Sequence, residues 1–268
     1  MIISHNLNAM NAHRQMKVST TDQGKSIEKL SSGFRINRAG DDAAGLAISE
    51  KMRSQINGLD QASRNAQDGI SLVQTTEGAL TETHSMLQRL KTLAVQSSND
   101  TYSNGDRALI EKEVTQLKSE IARIGSQTDF NGTKVLNATS TLKIQVGDKA
   151  GQTIDVSLVP MTNPGSINGI SLASQSGAST AITTIDDAIT KVSEHRATLG
   201  AVQNRLEHTI KSVDNTSENI QAAESRIRDT DMAKEMMSYT KSKILTQAAQ
   251  SMLAQANQAP QGVLQLLQ

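Results

Sequence analysis

The chain has 268 residues, 27 basic against 27 acidic, and no cysteine. Balanced charge removes the global field that draws a protein to nucleic acid or an anionic membrane, and the missing cysteines exclude disulfides, thiolate metal sites and cysteine nucleophiles. Aromatic residues make up only 1% (Phe34, Phe130, Tyr102 and Tyr239, no Trp); since such side chains carry much of the buried area in compact cores, burial falls to Leu, Ile, Val, Met and Ala, which suits long, thin helical assemblies.

The opening stretch, MIISHNLNAMNAHRQ, has no charged region followed by an apolar one, so no secretory signal is read there and secretion would need a dedicated export route. A first helix is predicted over about 4–32, carrying Ile3, Leu7, Met10, Ile27 and Leu30. It gives way to SSGFRINRAGDDAAGLAI (31–48). Gly33 and Gly40 fit a helix stop or a chain reversal. Asp41 and Asp42 read as caps for a helix beginning at Ala43, where carboxylates meet free N–H groups and the positive end of the dipole; a cation site or an acid–base pair is the alternative. Arg35 and Arg38 lack the frame of a phosphate loop and are read as partners for a neighbour's carboxylates.

From position 52, every seventh residue is apolar: Met52, Leu59, Ala66, Val73, Leu80, Leu87, Ala94. The same holds from 185: Ile185, Val192, Leu199, Leu206, Val213, Ile220, Ile227. Partial second rows accompany them (Ile56 and Ile70; Ile182, Ile189 and Ile210), the first interrupted by Ser63, Glu77 and His84. A sustained seven-residue repeat means long helices packed side by side at shallow angles; 43–98 would extend roughly 80 Å at about 1.5 Å per residue. After the turn cluster SSNDTYSNGD (97–106), Ile110, Val114, Leu117, Ile121 and Ile124 form one stripe of a shorter helix over about 106–124. Asn131-Gly132 marks a tight turn, and the alternating LKIQV and IDVSLV predict a hairpin over 142–158. Residues 156–185 are free of charge and rich in Ser, Thr, Gly and Pro, and read as a surface excursion. A final helix is predicted over about 231–257, after the capping residues Asp229, Thr230 and Asp231.

The fold class is therefore mainly α: a long antiparallel helical rod or coiled-coil bundle built from both chain ends, with a small β-hairpin region around 128–160. Residues 1–42 and 231–268 form a terminal-helix inner domain, 43–180 and 181–230 a rod-like helical-bundle domain, and 160–180 a short exposed variable segment. Both terminal helices are weakly apolar, and isolated helices of that kind are marginal in water. They are expected to order only on meeting other subunits, which points to a polymer. No nucleophile elbow, phosphate loop, dinucleotide fingerprint or HExxH is present, and the five histidines show no i, i+4 pairing. No enzymatic activity, cofactor or metal is expected.

The segments MIISHNLNAMNAHRQM, SIEKLSSGFRINRAGDDAAGLAISEKMRSQINGL, ATLGAVQNRLEHTIKSVDNTSENIQAAESRIRDTDMAKEMM and ILTQAAQSMLAQANQAPQGVLQLL resemble the two terminal regions of bacterial flagellins. LQRLKTLAVQSSNDTYSNGDR and TDFNGTKVL extend the resemblance over most of the chain. It implies a minimal flagellin with almost no outer domain, homopolymerising into the extracellular flagellar filament without membrane insertion. It also implies export in the unfolded state, with an export chaperone, cap and junction proteins as partners. A hook–filament junction protein is the alternative. The inner tube is assigned to Leu7, Met10, Met252, Leu253, Leu264 and Leu267. The resemblance further implies recognition by the animal Toll-like receptor 5 through Arg89, Leu93 and Glu113, although Leu90, Lys91 and Thr92 depart from the familiar pattern. Without it, Arg89 reads as a solvated helix-face charge.

Overall fold

The computed structural model describes residues 6–266, the side chains of 259–266 excepted. Two compact units divide it: residues 57–217, and residues 1–56 together with 218–268. Both boundaries fall inside long helices, α2 (Ala43–Ser97) and α4 (Gln175–Arg228). The sequence reading placed the division at the helix breaks, 42/43 and 230/231. The compact unit made by the chain ends instead takes in the first turns of α2 and the last of α4, because the joint between helices packs on them.

In residues 57–217 the seven-residue repeat becomes the core. Leu59, Ala66, Val73, Leu80, Leu87 and Ala94 of α2 are buried, as are Ile185, Val192, Leu199 and Leu206 of α4. Interhelical pairs hold the antiparallel register: Ser63 Oγ donates to Asp214 Oδ1 at 3.0 Å, and Arg196 Nη2 to Glu77 Oε1 at 3.3 Å. The second buried row of α2 differs from the expected Ile56–Ile70 row. It runs through Ala62, Gly69, Thr76, Thr83, Leu90 and Ser97. Polar members are tolerated because their hydroxyls are satisfied: Thr76 donates to Leu72 O (2.8 Å), Thr83 to Ala79 O (3.0 Å) and Ser97 to Leu172 O (2.7 Å).

Helix α3 (Asn104–Gln127) opens with a reciprocal cap between Ser103 and Asp106. Buried Arg107 closes the preceding turn, donating to Ser97 O, Asn99 O and Asn104 Oδ1 at 2.9–3.0 Å. Strands β1 (Asp129–Phe130) and β2 (Thr133–Lys134) flank Asn131 and Gly132 at φ 49° and 78°, the positive pair that a tight turn requires. Strands β3 (Ser140–Gln145) and β4 (Thr153–Leu158) pair antiparallel from Ser140 opposite Leu158 to Gln145 opposite Thr153. Ile154, Val156 and Leu158 alternate inward.

The segment 160–180 is no surface excursion. Met161, Pro164, Ile167, Ile170, Leu172 and Ala178 are buried, and a short 3-10 helix, Pro164–Gly169, interrupts the run. The stretch has apolar residues without a helical period, and charge-free composition alone does not separate core from exposed loop.

In the other unit, α1 (Leu7–Ser32) packs against α5 (Met232–Leu266). Its buried side chains are few and mostly small: Ser19 and Ser26 of α1, Ala249 of α5, Ile36 of the joint and Ser49 of α2. Helix α5 extends past the expected end at 257, through Pro260. Proline has no N–H, so the Ala256 carbonyl one turn earlier loses its helical donor. Asn6 Nδ2 supplies one at 2.7 Å, while its Oδ1 caps α1 by accepting from Ala9 N at 3.1 Å. One side chain thus serves the start of α1 and the proline position of α5.

Candidate functional site

Two features of the chain-end unit concentrate chemistry: the joint and the outward faces of α1 and α5. At the joint, Gly33 closes α1 in the left-handed conformation (φ 75°), its N–H donating to Lys29 O, a position that costs a side chain free energy. Gly40 lies in the following turn. The two aspartates divide the work. Asp42 Oδ1 accepts from Gly45 N at 2.8 Å and caps α2. Asp41 Oδ2 accepts from Asn37 N and Arg38 N at 3.2 and 3.0 Å, closing the turn instead. The Arg38 N–H, then that of Asn37, holds the Asp41 carboxyl below its ordinary range. Gly45 has no room for a side chain: a Cβ would stand 2.5 Å from Asp42 Oδ2 and 2.8 Å from Ile36 Cδ1.

This joint is paired with its counterpart between α4 and α5. Arg35 N donates to Arg228 O (2.6 Å) and Thr230 N to Gly33 O (3.0 Å), around an isolated bridge between Phe34 and Asp229. The Arg35 guanidinium donates to Ile227 O at 3.2 and 2.5 Å, satisfying a terminal carbonyl of α4. Arg228 lies over the Phe34 ring, 4.6 Å from its centroid, and reaches Glu50 at 3.1 Å. Arg38 pairs with Glu28 at 2.8 Å. Both arginines assigned to a neighbour's carboxylates are therefore engaged within their own chain, Arg35 on a carbonyl and Arg38 on Glu28. Phe34, Arg228 and Glu50 were missed as joint residues. The signal available was Phe34, the one aromatic residue of the first helix break, and the pair Arg226 and Arg228 in the last turn of α4.

The outward faces carry the exposed apolar side chains: Leu7, Met10, Val18 and Ile27 on α1, and Met232, Met236, Met237, Ile244, Leu245 and Met252 on α5. Leu253 is half-buried. Leu264 lies within the α5 backbone but its side chain is outside the described residues, as is Leu267 altogether. In the other unit, Arg89 Nε donates to Glu113 Oε1 at 2.8 Å, both side chains about half exposed. Leu93 is 2% exposed and belongs to the core, so this ion pair forms on the surface without it.

Among the described residues, no group of His, Asp or Glu is placed to hold a metal ion, and no helix is long and apolar enough to cross a membrane. The features that stand out are helix ends tied together and apolar faces left open, which define a structural, self-associating helical protein. Residues 3–141 match the bacterial flagellin N-terminal helical region and 182–267 the bacterial flagellin C-terminal helical region. The flagellin of Halalkalibacterium halodurans is 59% identical over 271 residues, and the flagellar filament 31.3 kDa core protein of Treponema maltophilum 50% over 286, each alignment covering 100% of both chains. The crystal structure of Bacillus cereus flagellin, 35% identical, matches 60% of this chain and 94% of its own with a TM-score of 0.51. The chain belongs to the bacterial flagellin family. It is a structural subunit of the extracellular flagellar filament, built by homopolymerisation, and its short length fits a minimal form.

Proposed function

We propose that the outward apolar faces of α1 and α5 are the surface through which subunits polymerise, with Leu7, Met10, Met252, Leu253, Leu264 and Leu267 contributing to the inner tube. The observation that carries this reading is the distribution of exposed apolar residues: among the described residues, eleven of the fourteen large ones lie in the chain-end unit. Met236, Met237, Ile244 and Leu245 of α5 line one groove, and exposed apolar surface of this kind marks an association site. Order in these helices is coupled to subunit addition, so the chain travels unfolded through a dedicated export apparatus and folds at the growing tip. An export chaperone, the cap and the junction proteins are the partners that this route requires. Arg38, whose side chain is 76% exposed, can exchange Glu28 for a neighbour's carboxylate.

Deleting 233–268 tests the reading. The truncated chain is expected to remain soluble and helical while failing to elongate filament seeds; filaments of truncated protein under the electron microscope would overturn it.

A second reading concerns the exposed Arg89–Glu113 pair. We propose that it is the polar part of a surface recognised by Toll-like receptor 5, with Leu93 supporting Arg89 from beneath. Receptor activation by Arg89→Ala equal to that of the parent protein would argue against it.

A further inference from the structure

Among the described residues, the exposed methionines are confined to one unit. Met10, Met232, Met236, Met237 and Met252 are 61, 48, 49, 68 and 63% exposed, and all five belong to the chain-end unit. Residues 57–217 contain only Met86, partly buried, and Met161, 3% exposed. Met236 and Met237 line a groove of about 510 Å³ on α5 together with Thr240, Lys241, Ile244 and Leu245. With no cysteine in the chain, thioethers are the softest nucleophiles it offers to an oxidant, so nothing more reactive protects them.

We propose that these methionines are an oxidation-sensitive modification site that controls assembly. The proposal rests on the reading that the α1 and α5 faces are the polymerising surface. A thioether sulfur attacks a peroxide oxygen with its lone pair. An S–O bond forms as the O–O bond breaks, the sulfur loses two electrons to become a sulfoxide, and the second peroxide oxygen takes both protons and leaves as water. The apolar, flexible side chain becomes a polar one carrying a strong acceptor. Burying that oxygen against an apolar neighbour without a donor is unfavourable, so an oxidised subunit is refused at the tip. Once a subunit is incorporated the same sulfurs are covered, and oxidation of the filament is slow. The device acts on free subunits and spares finished polymer.

Full-length monomer treated with dilute hydrogen peroxide, followed by peptide mass spectrometry and seeded elongation, tests this. Met237, Met252 and Met10 are expected to be converted first and Met161 last. Elongation by oxidised monomer should fall by about tenfold or more, and recover after treatment with the two stereospecific methionine sulfoxide reductases. In preformed filaments under the same treatment, Met236, Met237 and Met252 should be oxidised at least about tenfold more slowly than in monomer. A quintuple leucine variant (M10L, M232L, M236L, M237L, M252L) keeps the apolar volume, and its elongation, whatever its untreated rate, should be the same after peroxide as before. Unchanged elongation by oxidised wild-type monomer, or equal oxidation of filament and monomer, overturns the proposal while leaving the assembly reading intact. Loss of elongation by the peroxide-treated leucine variant, or no recovery after the reductases, overturns it as well. Failure of untreated wild-type monomer to elongate seeds overturns both.

Discussion

The two units hide apolar atoms by different means. Residues 57–217 bury continuous rows of Leu, Ile and Val from two long helices, a third helix and a hairpin. Among the described residues, the chain-end unit buries Ser19, Ser26, Ser49, Ala249 and Ile36, and leaves Leu7, Met10, Ile27, Met232, Met236, Met237, Ile244, Leu245 and Met252 exposed. Burial of a large aliphatic side chain contributes about 1.5–3 kcal/mol, so the first unit carries its stability within one chain. The second packs α1 against α5 and ties the two joints together by hydrogen bonds, and on the proposed assembly surface it would gain further burial from copies of itself. Under the proposed assembly a filament subunit would profit from this division, with a core that stands within one chain and ends that commit on polymerisation.

The comparison breaks first at the core. Leu87→Ala, at a fully buried position of α2, should cost about 3–5 kcal/mol in chemical unfolding. Met237→Ala should change the same transition by less than about 0.5 kcal/mol yet slow seeded elongation. At the joint, Gly45→Ala forces a methyl against Asp42 and Ile36 and should cost about 1–3 kcal/mol, seen as loss of helicity at lower temperature.

A smaller effect is expected at the proline position. Asn6→Asp keeps a capping oxygen but removes the N–H that serves Ala256 O, for about 1 kcal/mol. In a Pro260→Ala background the helix supplies that donor itself, and the penalty should shrink; an equal penalty in both backgrounds would show that the contact does not compensate for the proline.

The smallest effect is a pH slope. His195 is 5% exposed in a core row of α4, its Nε2 has no partner, and burial lowers its pKa from the ordinary 6.5. Lys191 and Glu194 of the same helix line the adjoining cavity, whose facing wall, Ser157 to Gly165, presents no titratable side chain. In the window below 6.5 the unfolded chain binds more protons, so stability is full above that pH and declines as pH falls through it toward the lower folded value. His195→Asn should flatten that decline in unfolding measured between pH 7.5 and 5 (on the order of the usual histidine range); an unchanged slope would assign it to other groups.

Much of this was legible in the sequence, and the gaps have causes. The rows from Met52 and Ile185 were visible because a heptad of aliphatic residues has few other readings. The second row of α2 was invisible because Thr76, Thr83 and Ser97 are buried only by virtue of hydroxyl bonds that hydropathy does not register. Asp42 was readable as a cap from its place before Ala43, whereas Asp41 serves a turn whose geometry no local pattern specified. Arg35 was misdirected outward because its partner, the Ile227 carbonyl, lies 192 residues away and is backbone. The end of α5 was expected at about 257, three residues before Pro260, because the donor that compensates for the proline sits 250 residues from the carbonyl it serves.

Hydrogen exchange of the full-length chain, as free subunit and as filament, tests the central claim most directly. The account predicts that amides of α1 and α5 exchange rapidly in the subunit and become protected in the filament, while those of the buried rows in 57–217 are protected in both. Protection of α1 and α5 in the free subunit equal to that of the buried rows would contradict it.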